Sequence, residues 1–177
     1  MTDNGHITFE FPALQPEQRI QELILYIADR AQGDETFGKV KLAKLLYFAD
    51  FSSYRLYHTP ITGKAYIRWQ YGPVPQDFLD ILDEMVSGGQ IAIRSQSYFD
   101  HEQQRIIPIR RADVSMFSGR DIQLVEDMIR YYWGKSAREL TGLSHGIAWR
   151  VTEPDEKIPY ETSILSDEPL TQEEIEY

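Results

Sequence analysis

Four histidines, His6, His58, His101 and His145, carry the side chains best suited to proton transfer or metal binding near neutral pH. They are scattered along the chain, and no two share a metal-ligand spacing. Cysteine is absent, which removes thiolate nucleophiles, disulfides and cysteine-based zinc sites. At Ser144-His145-Gly146 a hydroxyl adjoins an imidazole, but the surrounding residues do not form a nucleophile elbow. His145 reads as a structural residue whose ring nitrogens tie the last helix to a neighbour. No phosphate-binding loop and no dinucleotide glycine pattern occurs. The expectation is a protein that is not an enzyme, with no catalytic residue, metal site or cofactor.

A second kind of chemistry is grip. In "KVKLAKLLYFADF", residues 39–51, nearly every position except the lysines is apolar or aromatic. At about 100° per residue, Leu42, Leu45, Leu46, Ala49, Ser53 and Leu56 share one side of a helix. Lys41, Lys44, Phe48, Phe51 and Arg55 share the other, with Tyr47, Asp50 and Tyr54 between. Two readings of the second stripe stand. Either a further layer of the domain covers the phenylalanines while the lysine stems run past it, or the stripe is open and holds a partner, as aromatic and arginine side chains do at binding hot spots.

The elements that must position these residues follow from periodicity and punctuation. A helix is expected after Pro16, with Ile20, Leu23, Ile24, Ile27, Ala28 and Ala31 on its buried face, ended by "QGDETFG". The lysine-rich helix spans 39–58 and stops at Pro60. Ala65 to Tyr71 reads as a strand, and Pro75 as the first residue of a helix with Phe78, Ile81, Leu82, Met85 and Val86 inward. Residues 90–111 read as a hairpin turning at "DHEQQ", with Pro108 on an edge strand. Arg105, Arg110 and Arg111 lie there as a small basic patch. Ser118 with Asp121, and Ser136 with Glu139, have capping-box spacing for two more helices. The fold class expected is α+β: one mostly helical domain with a small antiparallel sheet or hairpin.

Charge divides the chain. The 177 residues carry a net charge of −10. Residues 153–177 hold nine acids against Lys157 alone, leaving 19 acids and 17 bases in residues 1–152. The expected organisation is an N-terminal extension (1–15), a domain (16–152) and an acidic arm (153–177). That arm reads as extended or disordered, with Ile158, Tyr160, Ile164 and Leu165 as anchors. A nearly neutral body with an acidic end makes nucleic acid a poor partner. A winged-helix DNA regulator, with the basic patch on its wing, is nevertheless an alternative. No stretch is apolar enough to span a membrane, no signal peptide is visible at the start, and the absence of cysteine agrees with a reducing cytoplasm, the expected location.

Three blocks carry a resemblance. "KLAKLLYFAD" (41–50), "PITGKAYIRWQYGPVP" (60–75) and "SHGIAW" (144–149) resemble, in that order, the SocA-like, or Panacea, antitoxin domain family of bacteria and phages. The resemblance covers about residues 16–150. It implies family positions at Tyr47, Asp50, Gly63, Tyr66, Gly72, Pro73, Val74, His145 and Trp149, beside Lys41, Lys44 and Phe48. It also implies an antitoxin that neutralises a cognate toxin, commonly a translation inhibitor, by direct contact. An alternative implied by the family is an adaptor delivering its toxin to the ClpXP protease. A homo-oligomer is compatible with either.

Overall fold

The computed structural model describes residues 6–165. The described residues form six α-helices: α1 (Pro16–Arg30), α2 (Lys39–Tyr57), α3 (Phe78–Ser87), α4 (Gly119–Tyr131), α5 (Ala137–Ser144) and α6 (Ile147–Val151). Four strands form two antiparallel pairs: β1 (Tyr66–Trp69) with β2 (Gly72–Pro75), and β3 (Ile91–Tyr98) with β4 (His101–Pro108). The fold is therefore α+β and mostly helical, as expected. Among the described residues no helix is long and apolar enough to cross a membrane.

Helix α2 is the axis of the domain. It packs against α1, α4, α5, β2 and the 3-10 turn Tyr160–Leu165. Twelve of its 19 residues are buried, including Lys41, Lys44, Asp50 and Phe51. A helix covered on all sides needs no amphipathic division, and the two-stripe division of the sequence reading is not realised. α1 follows its pattern, burying Ile20, Leu23, Ile24, Ile27 and Ala28, with Leu25 in addition. Both capping boxes form: Ser118 and Asp121 open α4, and Ser136 and Glu139 open α5.

The first hairpin corrects the sequence reading. Pro75 ends a strand and starts no helix; α3 begins at Phe78, after Asp77 in a left-handed conformation. Strand β2 tolerates two prolines because of register. Pro75 faces Tyr66 and Pro73 faces Arg68. Tyr66 and Arg68 direct backbone groups the other way, to Ile158, Asp155 and Glu156. Opposite those two residues a missing N–H costs no ladder bond.

The second hairpin turns at Phe99-Asp100, so His101 to Gln104 belong to β4 and not to the turn. Its basic patch is not assembled. Arg105 points inward and donates to the Asp34 and Gln32 carbonyls, while Arg110 pairs with Glu22. In α3 the expected Phe78, Ile81, Leu82 and Met85 are buried, whereas Val86 is exposed.

Segments at both ends join the core. Ile158 and Tyr160 are completely buried, but Ile164 and Leu165, read with them as anchors, are exposed. Tyr160 stacks on Phe51 at 4.6 Å and meets Phe11 edge-on at 5.4 Å. The Tyr160 N–H donates to the Thr8 carbonyl, and the Glu161 carboxylate accepts from the Thr8 N–H. Residues 1–5 and the acidic stretch 166–177 lie outside the described residues.

Candidate functional site

The residues singled out on α2 fall into interior clusters. Lys41, 1% exposed, places its ammonium among the Asp34 carboxylate (2.6 Å), the Thr36 hydroxyl and the Tyr132 and Lys135 carbonyls. It thus ties the α1–α2 loop to the carbonyls after α4, which lack helical partners. Burial lowers the Lys41 ammonium; donors from Lys41 and Thr36 outweigh burial at Asp34 and hold its carboxyl below the usual range. Phe51, 4% exposed, lies between Tyr66 and Tyr160. Phe48 is half-buried and stacks on Tyr132 at 4.8 Å, and Arg55 is half-buried. Of the two readings of this stripe, the covered one holds for Lys41, Lys44 and Phe51, which are buried, while Phe48 and Arg55 stay half-buried.

Asp50 is the second interior cluster. It accepts from the Thr62 N–H (2.6 Å), the Thr62 hydroxyl and the Tyr66 hydroxyl (2.7 Å). Burial pushes its carboxyl up against the pull of those donors. Tyr47 packs its ring on Phe51 at 4.4 Å. Gly63 has φ +76, and an added Cβ would meet Phe11. These family positions hold the first hairpin and the N-terminal segment on α2. Among the described residues no cluster of His, Asp and Glu could hold a metal ion.

A different constellation reaches the surface at the tip of the first hairpin. Lys44, 2% exposed, donates to the Tyr71 carbonyl and, at 3.5 Å, to the Ser144 hydroxyl. Burial alone lowers its ammonium to about 8. Gly72, at φ +116, permits this contact, since a Cβ would lie 2.6 Å from Ser144 Oγ and 2.8 Å from Lys44 Nζ. His145 stacks on Trp149 at 3.9 Å, and the Arg68 guanidinium lies 3.9 Å over the same indole. The Trp149 N–H donates to the Trp69 carbonyl at 3.2 Å, binding α6 to the hairpin. In the same segments Trp69, Tyr71 and Leu143 are 41%, 61% and 44% exposed. His145 Nε2 is buried without a partner among the described residues, so the tie expected of its ring nitrogens is supplied by stacking.

The family model for the antitoxin SocA-like, Panacea domain matches residues 42–150. That range exceeds half of the chain. The chain belongs to the SocA-like antitoxin, Panacea domain family. Neither a curated protein nor a solved structure matches it. Family membership supports an antitoxin role, and with it a toxin as the general class of partner. Within the Panacea domain the three blocks meet around α2: Lys44 from the first, Gly72 from the second, Ser144 from the third. Sequence reasoning took "IRWQY" only as an aromatic strand and so did not mark Trp69 and Tyr71 as exposed. The available signal was Gly72-Pro73 directly after the aromatic run, which marks a turn, where side chains are commonly exposed.

Proposed function

We propose that this Panacea-domain protein silences a toxin by direct contact, using the hairpin-tip surface of Trp69, Tyr71, Leu143 and Trp149 with Arg68. The observation that supports this reading is the exposure of Trp69 and Tyr71 at the turn of one hairpin, which Trp149 bonds through the Trp69 carbonyl. Tryptophan, tyrosine and arginine dominate binding hot spots, where truncating one costs about 2 kcal/mol or more. The rest of a stable interface, about 1,200–2,000 Å² in total, would spread from this centre. The toxin is of the translation-inhibiting kind and the meeting place is the cytoplasm.

The test is co-expression with the product of the adjacent reading frame, scored as rescue from growth arrest. Trp69→Ala combined with Tyr71→Ala should abolish rescue and weaken the complex by about 100-fold or more, with the thermal midpoint little changed. Full rescue by the double variant would overturn the placement of the contact. Toxin half-life separates occlusion from delivery to ClpXP: occlusion leaves it unchanged, and delivery shortens it. A DNA-binding role gains nothing from the second hairpin, whose Arg105 is buried and whose Arg110 is paired.

A further inference from the structure

The second hairpin has one open edge. Its ladder runs from the pair Ile91 and Pro108 to the pair Tyr98 and His101 without a bulge. In an antiparallel ladder, bonded and non-bonded pairs alternate, and the Ile109 N–H donates to the Gln90 carbonyl. Ala92, Arg94, Gln96 and Tyr98 therefore bond across to β4, while Ile93, Ser95 and Ser97 turn their backbone groups outward. The same alternation turns Gln104 and Ile106 outward on β4, and both are covered. The Gln32 amide donates to the Ile106 carbonyl at 2.8 Å, and a Cβ on Gly38 would lie 3.1 Å from the Gln104 carbonyl oxygen. In the first hairpin, Asp155, Glu156 and Ile158 occupy the outer edge of β1. On β3 the N–H and carbonyl groups of Ile93, Ser95 and Ser97 have no hydrogen-bond partner among the described residues. Ser95 and Ser97 are exposed. Edges are ordinarily blunted by proline, bulges, charge or cover; β3 has one charge, Arg94, and neither proline nor bulge.

We infer that this edge pairs with β3 of a second copy of the chain, antiparallel across a two-fold axis that passes between the two Ser95 residues. Outward groups must meet outward groups, so Ile93, Ser95 and Ser97 have to face the same set. A centre at Ser95 engages all three: Ser95 faces Ser95 of the second copy, and Ile93 faces its Ser97. A centre at Arg94 would send Ser97 to the buried Ile91 and set Arg94 against its own copy, and like charges directly opposite destabilise a sheet. In the Ser95 register Arg94 faces Gln96 of the second copy. Phe99, 85% exposed at the turn, faces Ile91 at the start of the other strand, where its ring can leave water. This self-complementarity favours a second copy over a foreign strand: the middle open position is a small, uncharged side chain that can stand on a symmetry axis. Pairing along one strand falls short of the roughly 1,000 Å² expected of a stable interface, so the dimer is weak and exchanges with monomer. The contact uses a different hairpin from the proposed toxin contact and does not depend on that reading.

The test exploits the absence of cysteine, since Ser95→Cys gives the full chain a single thiol. In the proposed register its Cα lies about 5.5 Å from that of the second copy, within the range a disulfide spans. Ser97→Cys, equally exposed, places the two thiols four residues apart along the strand, about 13 Å, too far to bridge. Under a mild thiol oxidant Ser95→Cys should form the covalent dimer at least about tenfold faster than Ser97→Cys. Sedimentation of the native chain between about 10 μM and about 500 μM should show a rise in mean mass towards the dimer. Ser95→Pro, which removes an outward N–H and no bond to β4, should keep the thermal midpoint and stay monomeric. Equal oxidation rates would mean random collision and overturn the register. A native chain that stays monomeric throughout, as when residues 166–177 or another protein cover the edge, would overturn the dimer, and so would a Ser95→Pro variant that associates like the native chain.

Discussion

Lys44 is a buried ammonium whose partners among the described residues are a carbonyl and a hydroxyl, and this has a thermodynamic sign. Its folded-state pKa is depressed to about 8 from 10.5, so the unfolded chain holds the proton better. Stability is then reduced below pH 8 and recovered as pH rises from about 8 towards 10.5. Relative to Lys44→Met, the native chain should gain about 2 kcal/mol between pH 7.5 and 9.5, measured by urea unfolding. A flat difference would show that the site admits enough water to solvate the charge. Buried phenols impose the opposite trend at higher pH. Tyr47, Tyr66 and Tyr160 are raised by burial, so the unfolded chain ionises first and stability falls above about pH 10. Lys41 differs because Asp34 neutralises it; the same residue type in the same helix has two electrostatic fates.

At the level of elements, the hairpin β1–β2 is held to the helices by one close approach. Gly72→Ala forces a Cβ towards Ser144 and Lys44 at a φ of +116. A loss of at least about 2 kcal/mol is expected, with Trp69 and Trp149 fluorescence shifting as the hairpin lifts. An alanine variant as stable as the native chain would mean that Ser144 and Lys44 yield easily. What was legible in the sequence follows the same division. The capping boxes at Ser118 and Ser136 were readable because a cap is a contact between residues three apart. The span of α2 and the buried face of α1 were readable from periodicity. The exposure of Phe51, Lys41 and Lys44 was not, because it depends on α4, α5 and Tyr160, which arrive from far along the chain. Pro75 misled because a proline suits either the start of a helix or an edge strand, and only the pairing of Tyr66 with Ile158 decides between them.

For the whole molecule, the Panacea match ends at 150, but packing continues. Ile158 and Tyr160 are wholly buried, and the Tyr160 hydroxyl donates to the Lys64 carbonyl at 2.6 Å. Ending the chain at 152 should therefore cost at least about 4 kcal/mol, from two large core side chains at about 2–5 kcal/mol each. That is comparable with the whole stability of a typical domain. Ending it at 165 should preserve a cooperative thermal transition. A chain ending at 152 that melts like the longer one would show that Phe51 and Tyr66 close over the gap unaided. Thr8 and Tyr160 are bonded neighbours, so the polypeptide path closes on itself like a buckled belt. A threading protease that draws the chain in past Thr8 or past Tyr160 meets the same buckle first. Once Phe11 and Tyr160 are drawn away, Phe51 loses its cover, and the unravelling started at one end undermines the other.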